Sequence, residues 1–497
     1  MTKATVTAFE LITQSIHTLV GHWRPDLELL FIFWLIRNFK VVRKAMNVRK
    51  DAREYYIPSG PLRSRDWGEL RGAIRELNAE TVEGQGYLFI DCGGGGSRFD
   101  QHGRENRDDE TSIALVCAYL DTVASIDGPL NADERDELKA VIDVLQAFIQ
   151  VVSDNDATGL DTAVKDEKAA TSSTPHTQRT LRNFVLGLNV LYPLEPRKVS
   201  SLVYMAFDGI YDSLRKNPSD EETDMRRLML CEEFLPAVEG FFGAASGDAS
   251  RFRFYAEKAY RAYEDEWEIG LRDYNDPDKT VHRTISHPRF WTWLPELHVC
   301  LIKSASTRAS QVARFAPGDQ PKADLILQWT RDGHFMLTTR GKVELPAVLV
   351  AELRKADLFA RGWRGLLTQE HYEQLAESGR HTIVVKDEKG VDQTVPVLFW
   401  TDYRKACGNE FRSNPFAVKT GLTSVAAARI VSEMFTNGPR LPKREFQPDR
   451  KEGKGQRQAP RRSDERAPAA RQGSQRRDDS NRGRGRDGRR HFSELLK

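Results

Sequence analysis

The chain has 497 residues, about three times the ~150 of an average domain, so a single small module is excluded. Its hydrophobic fraction of 39%, with 24 Phe and nine Trp, supplies enough apolar material for at least one large core. Charge divides the chain unevenly. Residues 437–497 hold 19 Lys or Arg against nine Asp or Glu, whereas the other 55 basic and 63 acidic residues give residues 1–436 a net charge of −8. The basic character therefore resides in the C-terminal segment.

The cysteines and the apolar runs indicate the cellular compartment in which the chain resides. The five cysteines are widely spaced and include no C-x-x-C pair, which argues against a disulfide framework and against a cysteine-type zinc site. The longest apolar run, residues 29–36, has eight residues, far fewer than the ~20 of a membrane helix. The first 25 residues lack the basic-then-apolar order of a signal peptide. We expect a cytoplasmic chain that is neither exported nor bound to a membrane.

Strand and helix patterns alternate over the first 90 residues. A short strand is predicted at Ile16–Val20, and Pro25 then stands where a helix can begin, followed by apolar residues at helical spacing up to Ile36. Further elements are predicted as a strand at 54–57, a helix at 67–77 and a strand at 87–90. This βαβαβ order is typical of an α/β domain with a parallel sheet.

Helices dominate the next two hundred residues, and an α+β pattern follows them. Thr111 and Asn131 can each cap a helix, and the second helix is predicted to end before the polar stretch 153–159. An exposed loop is expected at 160–180, and mainly helix at 181–315. Beyond residue 317 the pattern predicts a hairpin from 324–329 and 334–339, a helix at 345–360, strands at 381–386 and 394–400, and a helix at 423–435.

These patterns divide the chain into four parts. An α/β domain with a parallel sheet occupies residues 1–160, a mainly helical region 161–316, an α+β domain 317–436 and a basic tail 437–497. The tail has almost no apolar residues, so burial cannot offset the entropy of ordering it, and we expect it to be disordered. Its Arg-Gly-Arg-Gly-Arg run at 482–486 resembles flexible RNA-binding extensions, which contact phosphates without sequence readout. The alternative is a segment that only confers solubility.

Three stretches place carboxylate and imidazole side chains directly after predicted strands. They are His22-Trp-Arg-Pro-Asp26-Leu-Glu28 after the first strand, Asp91 at the end of the third, and Arg98-Phe-Asp100-Gln101-His102 just beyond the run Gly93–Gly96. The carboxyl ends of strands in an open parallel sheet are where such folds build their sites. Carboxylates mixed with imidazole suit Mn²⁺ or similar ions, and two such ions can clamp a phosphoryl group and activate water. The glycine run is either a surface loop or a backbone approach to a phosphate; it is not a P-loop, because no Gly-Lys-Ser/Thr follows.

The order of these motifs resembles the DHH phosphoesterase superfamily, whose members carry His-x-x-Pro-Asp-x-Asp, a strand-end Asp, and Asp-His-His. The match looks closest to a bacterial DHH-like branch with His-x-Arg-Pro-Asp-Leu-Asp near its start, because Arg24, Pro25 and Leu27 agree as well. The segment Asn183–Tyr192 also resembles that branch. The resemblance covers about residues 16–215.

The resemblance implies a DHH-like fold and a metal-dependent phosphoesterase or phosphohydrolase that acts on a nucleotide, an oligonucleotide or another phosphorylated small molecule. It implies one or two divalent ions, usually Mn²⁺ and alternatively Mg²⁺. Carried over residue by residue, the implied metal ligands are His22, Asp26, Glu28, Asp91 and a fourth-motif carboxylate, Asp154 or Asp156. The resemblance also implies catalytic roles for His102, which would meet the substrate phosphate, and for Asp100, which would support it.

Two positions depart from the family pattern and support an alternative. Glu28 stands where the family has Asp, and Gln101 stands where it has a metal-binding His. An amide oxygen is a poorer transition-metal ligand than imidazole. The alternative is a catalytically impaired DHH-like scaffold that binds RNA or a protein partner, and Gln101 is the residue that favours it.

Overall fold

A three-stranded parallel sheet organises the N-terminal part of the computed structural model. Its strands are β1 (Ile16–His22), β2 (Val48–Ile57) and β3 (Tyr87–Phe89), in the order β2-β1-β3. Val20 of β1 pairs with Tyr55 on one side and with Phe89 on the other. The predicted parallel sheet is confirmed. All three strands therefore deliver their carboxyl ends, and the residues that follow them, to the same edge.

The structure describes sixteen stretches of the chain, and the statements below concern these alone: residues 10–57, 83–92, 97–100, 111–158, 179–217, 222–289, 294–315, 322–330, 334–339, 345–362, 367–376, 382–387, 389–396, 401–403, 406–408 and 420–437. Several predictions fall outside them. These are the helix at 67–77, the glycine run, residues 101 and 102, most of the loop at 160–180 and the tail. Residues Met1–Gly438 group into one unit and Pro439–Lys497 into another, which lies wholly outside the described stretches.

Helix α1 (Leu27–Asn38) is the centre of the largest core. Asp26 caps it, since its side chain accepts a hydrogen bond from the amide of Leu29. Every residue from Leu27 to Ile36 is buried, including Glu28. A helix that is apolar on all sides must be enclosed: α1 packs on other helices, and its Leu29 and Phe33 contact the sheet at Gly21 and Tyr56.

Three further helices complete the surroundings of the sheet. Helix α2 (Lys40–Ala45) follows α1, and α3 (Ser112–Ser125) is capped by Thr111 as predicted. Helix α4 (Ala132–Thr158) begins with a reciprocal cap in which Asn131 and Glu134 each bind the other's backbone amide.

Helix α4 differs from the prediction at its other end, because it continues through the polar stretch 153–158. Tertiary contacts hold this last turn and a half. The hydroxyl of Ser153 lies 2.9 Å from that of Thr111, and Asn155 is buried. Packing has therefore overridden the low helix propensity of Ser, Asn and Asp.

The remaining helices of the N-terminal half pack on one another, and one of them, Pro196–Lys216, packs on α1. They are α5 (Leu181–Leu191), α6 (Pro196–Lys216), α7 (Glu222–Leu228), α8 (Cys231–Phe242) and α9 (Gly247–Asn275). Gly187 of α5 packs directly on the backbone of Ala259 of α9, where a Cβ would lie 1.9 Å from the Ala259 carbonyl oxygen. Within the described stretches, no helix combines the length and apolarity needed to cross a membrane.

A six-stranded mixed sheet forms the C-terminal half, in the order β10 (Thr401–Tyr403), β11 (Ala406–Gly408), β7 (Phe335–Thr339), β6 (Leu325–Trp329), β5 and β4. Its first strands, β4 (Thr280–Ser286) and β5 (Glu296–Lys303), lie in the segment 181–315 that we expected to be mainly helical. The apolar run Leu297–Ile302 is short, and periodicity alone cannot distinguish a short buried strand from a helix. Because β5 pairs with β4 on one side and with β6 on the other, this segment is a strand.

The elements beyond β5 agree with most of the predictions. Helix α10 (Ala309–Phe315) leads to the antiparallel pair β6 (Leu325–Trp329) and β7 (Phe335–Thr339), which confirms the predicted hairpin. The other elements are α11 (Ala347–Ala360), α12 (Gln369–Ala376), β8 (Thr382–Lys386), β9 (Asp392–Pro396), β10 (Thr401–Tyr403), β11 (Ala406–Gly408) and α13 (Ser424–Asn437). Strand β9 begins two residues before the predicted start at 394, because it pairs in register with all of β8.

Candidate metal centre

The turn from β1 into α1 places two of the predicted ligands together. His22 is the last residue of β1, and Asp26 caps α1 through its Oδ1 atom. The turn leaves His22 Nε2 3.5 Å from Asp26 Oδ2. Gly21 allows this close packing, because a Cβ there would lie 2.6 Å from a methyl group of Leu29. Strand end and helix start therefore present one imidazole and one carboxylate to the same point.

Asp91 reaches that point from the end of β3. Its backbone lies in the left-handed region, with φ 52°, a conformation that is costly for most residues and more accessible to Asp. The backbone is held there by a hydrogen bond from the Asp91 amide to the carbonyl of Phe99. The Asp91 Oδ2 atom then lies 3.1 Å from His22 Nε2, and Ser112 at the start of α3 donates a hydrogen bond to Oδ1 at 3.2 Å.

His22, Asp26 and Asp91 form a group with metal-ligand chemistry. Their ligand atoms all lie within 4.8 Å of one another, and no other group of three or more His, Cys, Asp or Glu side chains meets this condition among the residues that the structure describes. The side chains of His22 and Asp91 are only 13% and 6% exposed, whereas that of Asp26 is 42% exposed. The group is thus buried on two sides and open to solvent beside Asp26.

Without a metal ion, the positive charge of protonated His22 holds the two carboxylates of the group together. Burial by itself would lower the pKa of His22, but the carboxylates of Asp26 and Asp91 outweigh it and raise the pKa to about 10. The same interaction with His22 lowers the pKa of Asp26 against the effect of burial. At neutral pH an imidazolium ion therefore lies between the two carboxylates, in the position where a cation is most stable.

Glu28 lies behind this group in the first turn of α1. It is 2% exposed, and its Oε1 atom accepts a hydrogen bond of 2.7 Å from the amide of Ile113. Its buried Oε2 atom has no hydrogen-bond partner within the described stretches. Burial, and then the charges of Asp156, Asp91 and Asp26, raise the pKa of Glu28 well above its ordinary value. A carboxyl group in this position is held neutral unless a cation balances it.

The extended end of α4 brings in Asp156 rather than Asp154. Burial and the charges of Asp91 and Asp26 raise the pKa of Asp156 to about 8, although Arg182 and His22 oppose the shift. Asp154 points elsewhere: it accepts a hydrogen bond from Gln150 and lies 3.7 Å from Arg226. Residues two apart on a helix face different directions, so the continuation of α4 brings Asp156, and not Asp154, under the charges of Asp91 and Asp26. Neither Asp156 nor Glu28 belongs to the group of three whose ligand atoms lie within 4.8 Å of one another.

The third motif is only partly within the described residues. Asp100 is 3% exposed, and the segment that carries it is joined to the end of β3 by a bridge between Ile90 and Phe99. Burial, with the charges of Asp100 and Asp91, raises the pKa of the Cys92 thiol well above its ordinary value. Gln101 and His102 lie outside the described stretches, so their predicted roles remain predictions.

Sequence reasoning missed two polar residues at this edge. Ser112 follows the predicted helix cap Thr111, and only the fold shows that its hydroxyl reaches Asp91. Arg182 stands at the start of α5, and its positive charge acts on both Asp26 and Asp156. Helix α5 is fastened to the site turn, since the Asn189 amide donates a hydrogen bond of 2.9 Å to the carbonyl of Pro25. No local pattern marks Arg182, although it adjoins the segment Asn183–Tyr192 on which part of the resemblance rests.

The chain matches no protein-family model, no curated protein and no solved structure.

Proposed function

We propose that this chain is a divalent-metal-dependent phosphoesterase of the DHH type that acts on a nucleotide or another phosphorylated substrate. One observation carries the proposal: His22, Asp26 and Asp91 bring their ligand atoms within 4.8 Å of one another at the carboxyl edge of a parallel sheet. Their order along the chain agrees with the motif order of that superfamily. Mn²⁺ is the preferred ion and Mg²⁺ the alternative.

The donor set fits such an ion. One imidazole and several carboxylates are the ligands that Mn²⁺ accepts readily. The unpartnered Oε2 atom of Glu28 and the raised pKa values of Glu28 and Asp156 show buried acid groups with too little positive charge around them. A divalent cation would supply that charge. When bound, it would also polarise a phosphoryl oxygen and activate water, the chemistry that phosphoester hydrolysis requires.

The protein's own residues orient the ligands and admit the substrate. The Leu29 amide fixes Asp26, the Ser112 hydroxyl fixes Asp91, and the Ile113 amide fixes one oxygen of Glu28. Because Asp26 lies on the open side, a phosphorylated substrate would approach there. Arg182, whose charge acts on Asp26, would attract the phosphate, and the proposal assigns His102 to contact it with support from Asp100.

Titration with Mn²⁺ and a matched pair of variants test the proposal. Asp91→Asn removes a charged ligand, so calorimetric Mn²⁺ binding should weaken at least ~100-fold, and hydrolysis of p-nitrophenyl phosphate or bis(p-nitrophenyl) phosphate should be lost. Asp154→Asn makes the same chemical change outside the group and should alter neither. Equal Mn²⁺ binding by Asp91→Asn and the unsubstituted chain would contradict the proposal.

A scaffold without catalysis is the second candidate, and Gln101 is the observation that favours it. An amide in place of imidazole removes one strong ligand. The two candidates differ in the assay above, because a scaffold that retains His22, Asp26 and Asp91 would still bind Mn²⁺ but would hydrolyse neither phosphate ester.

A further inference from the structure

Three aromatic side chains adjoin on the surface formed by the turn after α5 and the first half of α9. The ring centroids of Tyr192 and Tyr255 are 6.2 Å apart, and those of Tyr255 and Phe254 are 5.5 Å apart. Phe254 is 54% exposed, and the two tyrosines are half-buried. We call Tyr192, Phe254 and Tyr255 the aromatic surface. An exposed phenylalanine is ordinary by itself, but one that continues a row of rings is not.

Cationic side chains lie over these rings. Lys198 Nζ is 3.9 Å from the ring centroid of Tyr192 and 5.9 Å from that of Tyr255. The guanidinium carbon of Arg251 is 5.9 Å from Tyr255, and Lys258 Nζ is 4.4 Å from Phe254. Cation–π contacts occur roughly once in 70–80 residues, so four within one surface patch are a concentration.

These cations are nearly free of acidic partners. Among the described residues, the one carboxylate within ion-pair distance of Lys198, Arg251 or Lys258 is Glu195, 3.8 Å from Lys198. The patch is therefore positive, although residues 1–436 carry a net charge of −8. Positive charge beside one exposed and two half-buried aromatic rings is complementary to a ligand that alternates anionic groups with flat rings.

We propose that the aromatic surface binds single-stranded nucleic acid, with bases stacked on its rings and phosphates beside Lys198, Arg251 and Lys258. Every base offers a π-face, and every nucleotide carries one phosphate, so this combination suits any sequence. A protein partner fits less well, because the cores of protein interfaces are depleted of lysine and exclude charges from between their apolar side chains.

The aromatic surface adjoins the candidate metal centre. The carbonyl of Pro193, next to Tyr192, accepts a hydrogen bond of 2.8 Å from the indole of Trp23, and Trp23 directly follows His22. The proposal does not depend on catalysis, however. Binding by this surface requires neither a metal ion nor hydrolysis, so it can be measured in EDTA and stands or falls separately from the phosphoesterase function.

Fluorescence anisotropy of the full chain with two DNA strands tests the proposal. One strand is a labelled thymidine 12-mer, and the other is an abasic 12-mer with the same phosphates and no bases. Any contribution of the basic tail comes from attraction to phosphates and should be the same for the two strands. Base stacking should make the thymidine strand bind about 10-fold more tightly. The double variant Phe254→Leu/Tyr255→Leu should lose this preference and retain its affinity for the abasic strand.

Control variants separate stacking from general damage. Phe241→Leu replaces another exposed phenylalanine, 44% exposed, outside the aromatic surface, and should keep the base preference. Tyr255→Phe retains the ring and should keep it too, and circular dichroism checks that each variant is folded. Lys198→Gln/Lys258→Gln should weaken the binding of both DNA strands equally. It should also reduce the number of counterions released on binding by up to about two, which lowers the salt dependence.

Two results would overturn the proposal. One is equal affinity of the unsubstituted chain for both strands. The other is a base preference that survives Phe254→Leu/Tyr255→Leu. If that variant instead converts a dimer into a monomer in light scattering while the base preference is unchanged, the aromatic surface is a contact between copies of the chain and not a nucleic-acid site.

Discussion

Glu54 and Glu28 are both buried glutamates of the N-terminal half, but their surroundings are opposite. Glu54 on β2 accepts hydrogen bonds from Arg37 at 2.7 Å, Tyr204 at 2.8 Å and Tyr56 at 2.8 Å, so both of its oxygens are satisfied. Glu28 on α1 has one amide donor for Oε1 and none for Oε2 among the described residues, and its charged neighbours are acids.

The difference separates a structural carboxylate from a candidate functional one. A buried charge that the protein itself pairs and hydrogen-bonds ties elements together, and Glu54 ties β2 to α1 and α6. A buried carboxyl group whose neighbours carry like charge is instead held neutral unless a cation supplies the balance. Asp357 of α11 belongs with Glu54, because it accepts hydrogen bonds from Thr420, Gly421 and Arg361.

The largest effect expected from this comparison is a dependence of stability on pH. In the metal-free protein the folded-state pKa values of Asp156, about 8, and His22, about 10, lie above the ordinary values of 3.8 and 6.5. Their protonated forms therefore stabilise the fold at low pH. This stability is lost as pH rises from 4 through 8 for Asp156 and from 6.5 through 10 for His22, with a slope of up to about 1.4 kcal/mol per pH unit for each group.

Urea unfolding in EDTA between pH 5 and 9 measures this slope. Asp156→Asn should flatten it, and Asp154→Asn should leave it as it is. Mn²⁺ should stabilise the protein more at pH 8 than at pH 6, because metal binding displaces the protons. An unchanged slope in Asp156→Asn would show that Asp156 is not part of the acid group.

A matched substitution of the two glutamates should destabilise the protein at Glu54 but not at Glu28. Glu54→Gln puts an amide nitrogen among the donors of Arg37 and the two tyrosines, and should lower the free energy of unfolding by about 2 kcal/mol. Glu28→Gln removes a carboxyl group from among other acids and should leave the metal-free protein at least as stable. Urea unfolding at pH 7.5 measures the free energy of unfolding of both variants. Equal destabilisation by both variants would place Glu28 with Glu54 as a structural residue.

The Ser112 hydroxyl is expected to have a smaller effect, on metal affinity. It holds one oxygen of Asp91, and loss of such a supporting hydrogen bond typically weakens metal binding by at least about 10-fold. Ser112→Ala should show this loss in Mn²⁺ calorimetry. Ser153→Ala, whose hydroxyl contacts Thr111 and not Asp91, serves as the control, and equal affinities in the two variants would contradict the assignment.

The smallest effect is expected from Gln101→His, which would restore the ligand that the resemblance implies. Mn²⁺ affinity should rise several-fold, because imidazole is a better ligand than an amide, and hydrolysis of a phosphate ester should rise if Glu28 permits it. Combining Gln101→His with Asp91→Asn should cancel both gains. No change in affinity on Gln101→His would remove residue 101 from the proposed site.

Local sequence signals determined the strand-to-helix turn of the candidate site. An apolar strand and Pro25 predicted the turn, and the structure has it: His22 ends the strand, and the helix begins at Leu27, two residues after the predicted start, with Asp26 as its cap. Asp91 was predicted at a strand end for the same local reason. These predictions succeed because capping and strand termination depend on residues within a few positions of one another.

Only the tertiary structure decided the rest of the site. The polar end of α4 predicted a break, yet packing keeps it helical and so brings Asp156 under the charges of Asp91 and Asp26. Ser112 and Arg182 reach the edge of the sheet from other helices, and no residue beside them in the chain reveals it. The physical reason is that long-range contacts fix where a helix ends and which charges meet, whereas propensity and spacing report only on neighbours along the chain.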